Sequence, residues 1–245
     1  MALSCWWRSV LAQKRAVKII SGITQKDPEV VGRVVRAATQ GGATYVDIAA
    51  DPLLVMLAKS LTHLPVCVST IDPTVLPACV EAGADMVEIG NFDPFYAQGE
   101  VFDADRVCAL TVQVRERLPE VPLTVTVPHT LPLDVQADLA QELVRLGADV
   151  LQTEGGVAVQ PQQPGVLGLM HKAVPALAAA YTLSRAVAVP VICASGLSAV
   201  TAPLALAAGA AGVGIGRAVN RLRDEWEMTA AVRAIVEAVA TPVVV

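Results

Sequence analysis

The sequence predicts an α/β fold, a single-domain (β/α)8 TIM barrel with a short N-terminal extra helix. Three observations lead there. Short β-rich runs recur along the chain, and each is followed by an alanine-rich helical pattern. The runs carry Val and Ile on both faces, which implies a parallel sheet covered by helices. One device repeats between units: Gly41-Gly42-Ala43, Ala82-Gly83-Ala84-Asp85, Leu146-Gly147-Ala148-Asp149 and Ala208-Gly209-Ala210. Each is read as a glycine that ends a helix and lets the chain re-enter a strand at the bottom of the barrel. Eight units with no element left over favour closure over an open sheet, and 245 residues is close to the usual barrel length of about 250.

The elements follow in order. Ser4–Gln13 reads as an extra helix that buries Trp6 or Trp7 under the barrel floor, dividing the chain into an extension (1–15) and a barrel (16–245). Strands are expected at Ala16–Gly22, Thr44–Ala50, Pro65–Ile71, Met86–Asn91, Pro122–Pro128, Val150–Gly155, Pro190–Ser195 and Gly212–Gly216. Helices are expected near Pro28–Gln40, Leu53–Thr62, Thr74–Ala82, Asp103–Leu118, Leu133–Leu146, Pro175–Val187, Ala199–Ala208 and Asp224–Val239. Because side chains alternate along a strand, residues two apart share a face. That phase directs Lys18 and Ile20, Asp47, Cys67 and Ser69, Glu88, Thr124 and Thr126, Gln152 and Glu154, and Ser195 into the lumen.

Composition sets outer limits. Hydrophobic residues make up 54% and charged residues 17%, which excludes a disordered chain. The net charge of −5, with no lysine or arginine run, argues against a nucleic-acid partner. Five cysteines without CxxC spacing suit a reduced, intracellular protein; Cys67 and Cys193 read as core fillers. The N-terminal MALSCWWRSVLAQKRA lacks a long apolar run. The stretch Ala173–Gly196 holds Arg185 and two prolines, so it reads as barrel core and not as a membrane span.

The chemistry is read from three places. In PVICASGLSAVTAPLALAAGAAGVGIGR (Pro190–Arg217), glycines fall just past two successive parallel strands. Such turns let backbone N–H groups approach an anion, and the turns after strands seven and eight of a barrel often hold phosphate. Ser195, Gly196, Leu197, Gly214, Gly216 and Arg217 are therefore the candidate phosphate-binding residues. The inward Lys18, Asp47, Glu88 and Glu154 are the candidate catalytic charges, since buried ionic groups must pair, shift their pKa or meet a ligand. A structural ion pair, Lys18–Asp47 or Lys18–Glu88, is the competing reading. Lys18 sits early in its strand, which favours an electrostatic or acid–base role over a covalent one. His129, just after strand five, is the histidine best placed for chemistry at the mouth; His63 and His171 are expected to be bland. No metal site is evident, since His129, Glu154 and Asp47 converge only with favourable geometry. Two loops stand out. Asn91–Phe102 holds all three phenylalanines and Tyr96, and walls a pocket, acts as a lid or forms a homo-oligomer contact. Gly155–Lys172 is long for its position, with a Gly155-Gly156 hinge. GVGIGR lacks the ending of a dinucleotide fingerprint.

The segments VKIISG, TYVDIAADP, GADMVEIGNFDPFYAQGEVF, VTVPHTLPLD, LQTEGG, GVLGL and PVICASGLSAVTAP…AAGVGIGRAVN resemble the hypothetical chloroplast open reading frame family, number twenty-three of that series. The resemblance spans essentially the whole chain. It implies an aldolase-type barrel and a cyanobacterial or plastid origin, so a cytoplasmic or stromal location, and adds no established reaction. Arg217 departs from the small residue that commonly follows the last glycine pair in the family. Three functions remain open: a lyase or isomerase on a small phosphorylated metabolite, an FMN-binding oxidoreductase using the same phosphate turns, and a non-catalytic barrel that binds a metabolite or docks a partner.

Overall fold

The structure is a computed structural model that describes residues 6–156 and 163–240. Its eight parallel strands close into a barrel in sequence order, β1 pairing with β8. The strands are β1 (Ala16–Ile20), β2 (Tyr45–Ala49), β3 (Val66–Thr70), β4 (Met86–Ile89), β5 (Leu123–Val127), β6 (Val150–Thr153), β7 (Val191–Ala194) and β8 (Gly212–Ile215). Around them run α2 (Pro28–Gly41), α3 (Pro52–Leu61), α4 (Leu76–Glu81), α6 (Ala104–Arg117), α7 (Leu133–Arg145), α8 (Gly165–Ala186), α9 (Ala202–Ala207) and α11 (Glu225–Ala240). Helix α1 (Trp6–Ala12) precedes β1, and two four-residue helices, α5 (Asp93–Tyr96) and α10 (Arg217–Asn220), follow β4 and β8 at the mouth.

Local chemistry explains the entries and exits. Asp27-Pro28, Asp51-Pro52 and Asp72-Pro73 each put an aspartate at an N-cap, its side chain accepting from the second N–H beyond it (2.8, 2.9 and 2.9 Å), with proline in the first helical position. At the helix ends, Gly42, Gly83, Gly147 and Gly209 all lie at positive φ, the left-handed conformation that a side chain disfavours. The aspartates that follow two of these glycines have a job of their own. Asp85 accepts from Val66 N (2.8 Å) and Asp149 from Leu123 N (3.0 Å), satisfying N–H groups at the strand starts.

The alternation read from sequence holds. Val17, Ile19, Val46, Ile48, Val87 and Ile89 belong to the core between sheet and helices. A second cluster fills the floor: Trp7 and Leu11 of α1 pack under Ala16, Tyr45, Cys67, Met86, Val150 and Ile192. Cys67 and Cys193 are buried core residues, as expected.

Three departures matter. Strand β7 ends at Ala194, so Ser195 is not a lumen-facing strand residue; it sits one step beyond, at φ 83°. Helix α8 starts at Gly165, ten residues before the expected Pro175, which lies inside it. Reading that proline as a helix start is what failed, because a helix at a barrel surface tolerates an interior proline at a cost. The Gly155–Lys172 loop is therefore shorter than read, and its middle, 157–162, lies outside the described residues. Helix α8 is long and apolar enough to cross a membrane by length and composition, and it packs in the ring against α7 and β7.

Helix α2 is pressed on α11 at Gly41, where an added Cβ would fall 2.5 Å from Val232. Alanine improves helix propensity by about 1 kcal/mol, but overpacking costs about 1–3 kcal/mol. Gly41→Ala is therefore expected to lower the melting temperature, and a raised value in thermal unfolding would show that α2 and α11 spread freely.

Candidate active site

Inside the barrel, Lys18 of β1 meets Asp47 of β2 (2.8 Å) and Glu88 of β4 (2.5 Å), all three at most 1% exposed. Gln152 of β6 joins them: its Oε1 accepts from Lys18 (2.9 Å) and its Nε2 donates to Glu88 (2.7 Å). Thr126 donates to Glu88 (3.2 Å) and Ser69 to Asp47 (2.5 Å). One cation faces two carboxylates, so the fully ionised cluster carries a net negative charge out of water, which is unfavourable. Burial by itself disfavours the Lys18 ammonium, but the fields of Asp47 and Glu88 more than reverse this and hold the amine well above the ordinary lysine range. Burial likewise raises Glu88; Lys18 opposes it, Asp47 adds to it, and the carboxyl ends at about 7. Near neutrality the cluster thus sheds its excess charge by taking up a proton on Glu88.

Above this network lies a cavity of about 510 Å³ at the C-terminal ends of the strands. Lys18, Asp47 and Glu88 do not line it; Thr126 and Gln152 do, and they also bond Glu88. The three charges thus form a layer under the cavity floor, with Thr126 and Gln152 as the contact between the two.

All six candidate phosphate residues border this cavity: Ser195, Gly196, Leu197, Gly214, Gly216 and Arg217. Their glycines are there for different reasons. Gly196 has φ +72° and an added Cβ would fall 2.1 Å from Lys172 O, so the backbone itself requires glycine. Gly214 is a packing residue, its missing Cβ 2.8 Å from Ala194 across the β7–β8 pair. Of the three, Gly216 alone has room for a Cβ, which would meet Asn220 and Ile20 at ordinary contact distances of 3.7–3.9 Å. The side chain of Leu197 is in the core. Among the described residues, the N–H groups of Gly196, Leu197, Arg217 and Ala218 find no acceptor. Arg217 and Arg221 both reach the cavity, and among the described residues neither has an ion-pair partner. Burial and the neighbouring Arg221 charge hold the Arg217 guanidinium below the ordinary arginine range, with the Asp93 carboxylate opposing them.

A second group is built on Glu154, just past β6 and 4% exposed. Its Oε1 accepts from Asp93 N (2.9 Å), and its Oε2 from Tyr96 Oη (2.9 Å), His129 N (3.3 Å) and His129 Nδ1 (2.8 Å). Asp93 Oδ1 lies 3.7 Å from the same imidazole nitrogen. The hydrogen bond from Glu154, which outweighs the cost of burial, raises the His129 pKa above the ordinary histidine range. Burial, with the Glu154 carboxylate, raises the Tyr96 phenol, keeping it a neutral donor.

Asp93, His129 and Glu154 bring one ligand atom each within 4.8 Å of one another, the geometry of a three-ligand metal set. Asp47, the third member considered from sequence, is instead committed to Lys18 and Ser69. Hydrogen-bond accounting favours proton chemistry over a metal here. Both Glu154 oxygens already accept from the protein, and Nδ1 of His129 serves as its donor. The imidazole Nε2 faces Gly156, where an added Cβ would lie 2.8 Å away, and Gly156 and Glu154 line the cavity.

Asp93, Tyr96 and Asn91 were missed as individual site residues. Asp93-Pro94 is the chain's fourth Asp-Pro, and the other three cap helices; this one opens a four-residue helix whose N-cap position is Phe92. An Asp-Pro with no long helix to cap was the available signal. The aromatic loop itself is pinned: Phe92 and Phe102 stack at 4.2 Å and are buried, so those two are core residues and not a pocket wall. His63 and His171 are exposed.

Residues 4–244 match the family described as "Protein of unknown function (DUF561)". The chain belongs to the DUF561 family. Its relatives include proteins named "Uncharacterized protein ycf23". The one from Cyanophora paradoxa is 40% identical over 224 residues, covering 89% of this chain and 90% of that one. The one from Antithamnion sp. is 39% identical over 230 residues, covering 90% and 83%. This is the family that the sequence motifs resembled. Solved structures share the DUF561 chain's fold at low identity. An (S)-3-O-geranylgeranylglyceryl phosphate synthase from Thermoplasma acidophilum, in complex with sn-glycerol-1-phosphate, has a TM-score of 0.66 at 15% identity, covering 96% of this chain and 98% of that one. A 3-hexulose-6-phosphate synthase gives 0.63 at 18%, covering 92% and 100%. A thiamine phosphate pyrophosphorylase from Pyrococcus furiosus gives 0.61 at 21%, covering 94% and 97%.

Two outcomes are expected. Lys18→Met strands two buried carboxylates and is expected to cost about 3–5 kcal/mol in chemical denaturation, with part of the loss recovered when Asp47→Asn and Glu88→Gln are added. A stability unchanged by Lys18→Met would show that the network is idle. For His129, the raised folded pKa means a contribution to stability that is present below the ordinary histidine value and lost as pH rises through the folded value. Glu154→Gln is expected to bring the His129 titration, followed by NMR, back down toward 6.5; an unmoved titration would rule out Glu154 as its cause.

Proposed function

We propose that this barrel is an enzyme of lyase or isomerase type acting on a small phosphorylated metabolite. The phosphate would occupy the corner between Ser195-Gly196 and Gly216-Arg217. The observation that carries the reading is the pair of arginines, Arg217 and Arg221, four residues apart and unpaired among the described residues, beside Gly216, whose missing side chain leaves the turn approachable. Two like charges on adjacent turns repel, and a phosphate dianion bound between them offsets that repulsion while accepting the turn N–H groups. Ser195, whose hydroxyl finds no partner among the described residues, adds a donor.

The acid–base work belongs to the Glu154 group. Glu154 holds the His129 imidazole through Nδ1, leaving Nε2, which lies against Gly156 of the cavity lining, as the nitrogen to take or give a proton, while Tyr96 and Asp93 N fix Glu154 in turn. The Lys18–Asp47–Glu88 layer acts from below, through Thr126 and Gln152, as an electrostatic floor rather than as a nucleophile. The names of the three similar structures each contain a phosphorylated compound, which supports the substrate class without choosing a reaction. A flavin would use the same phosphate corner, and the absorbance spectrum of the purified protein separates that reading.

Gly216→Val is expected to weaken binding of inorganic phosphate by about tenfold or more with the melting temperature nearly unchanged, because the Cβ meets no atom closer than 3.7 Å while the side chain obstructs the turn. Arg217→Ala is expected to do the same by removing a charge-assisted contact of about 1.5–3 kcal/mol. Retained affinity in both folded variants, measured by calorimetric titration, would overturn the phosphate site.

A further inference from the structure

The buried cluster under the cavity and the anion corner beside it are joined by a single amide. Gln152 Nε2 donates to Glu88 (2.7 Å). Gln152 Oε1 lies 3.4 Å from where a Cβ on Gly214 would stand, and Gly214 borders the phosphate corner. Lys18, Asp47 and Glu88 are 1%, 1% and 0% exposed, so one ammonium answers two carboxylates out of reach of solvent counterions. The groups around Glu88 come from the neighbouring strands. β1 brings Lys18, β2 Asp47 and Tyr45, and β3 Cys67; β5 and β6 bring the neutral Thr126 and Gln152. Against the cost of burial, Asp47 and Glu88 keep Lys18 protonated, while burial keeps the Tyr45 phenol and the Cys67 thiol protonated.

Resting on the phosphate reading above, we infer that the cavity binds an anion together with one proton, which Glu88 takes up. The anion cancels the field of Arg217 and Arg221 and adds negative charge above a cluster that already carries an excess of it. Both changes favour the neutral carboxyl. Burial, reinforced by Asp47 and opposed by Lys18, already sets that carboxyl at about 7, so the added field acts where protonation is closely balanced. Thr126 gives the route, since its hydroxyl lines the cavity and donates to Glu88 (3.2 Å). It passes its proton to the carboxylate and takes another from cavity water, so one O–H bond forms on Glu88 and Thr126 is left as it began. The Glu88 hydroxyl then donates to Thr126, whose own hydroxyl turns to donate to the ligand. Anion and proton bind with positive coupling, and affinity for the anion falls as pH rises through the Glu88 value.

The test is isothermal titration of the whole protein in pairs of buffers that differ in ionisation heat, which counts the protons taken up per ligand. Inorganic phosphate establishes the site, and sulfate, a dianion throughout the neutral range, reads the proton without titrating itself. Expected is an uptake of about half a proton per sulfate at about pH 7.5. It should fall by at least about half in Glu88→Gln and in Asp47→Asn, since either change leaves one cation facing one carboxylate. Each variant is checked for folding by its melting curve. No uptake by the unaltered protein, or an uptake unchanged in either folded variant, overturns this inference while the phosphate site stands; the unchanged count would assign the proton to His129. If both variants unfold, His129→Gln decides: uptake retained there supports Glu88, and uptake lost overturns it. If phosphate binds and sulfate does not, the count is made with phosphate, corrected for the proton that free phosphate carries. If neither anion binds, the phosphate site itself falls, and this inference with it.

Discussion

Lys18 ties the barrel together across its interior. Its ammonium is held by side chains from β2, β4 and β6, and Glu88 passes the connection on to Thr126 of β5. With Ser69 of β3 donating to Asp47, six of the eight strands share one charged hydrogen-bond network in a space that most barrels fill with branched aliphatic side chains. A buried network of this kind is weak evidence for extra stability, but it is exacting about geometry. Strand register, the depth of the cavity floor and the orientation of Gln152 all follow from satisfying one ammonium and two carboxylates at once. The apolar plug beneath it, capped by Trp7 and Leu11 of α1, closes the lower end, so ligands have access from the mouth.

On that floor the mouth is divided by chain topology. The first carboxylate, Glu154, is fixed by the end of β6, and its partners Asp93, Tyr96 and His129 arrive from the loops after β4 and β5. The arginines arrive from the short helix after β8.

Much of this was legible in the residues because period-two alternation is a strong constraint where both faces of a strand are buried. The phase that put Lys18, Asp47, Glu88 and Gln152 inside follows from Val17, Ile19, Val46, Ile48, Val87 and Ile89 facing out. The same rule misread Ser195, because alternation ends where the strand does, and Ser195 already has left-handed backbone. Pro175 was taken as a helix start when it sits mid-helix, a choice local propensity cannot make without knowing what packs on either side. The mouth was the least legible part. Asp93 and Tyr96 are positioned by tertiary hydrogen bonds to a residue some sixty positions away, and no local pattern encodes such a contact. Within the aromatic loop, Phe92 and Phe102 are buried anchors, and Tyr96 is the side chain that donates to Glu154.

The exposed arginine pair and the buried lysine cluster respond differently to dissolved salt. Charges at the surface are screened over a Debye length of about 8–10 Å at ordinary ionic strength, while a dehydrated cluster admits no counterions. Arg217 and Arg221 are exposed residues, and Lys18 is 1% exposed. Raising the ionic strength therefore weakens the field of the arginine pair while leaving the Lys18 layer as it was, so that an anion held there as proposed would be released without relaxing the frame.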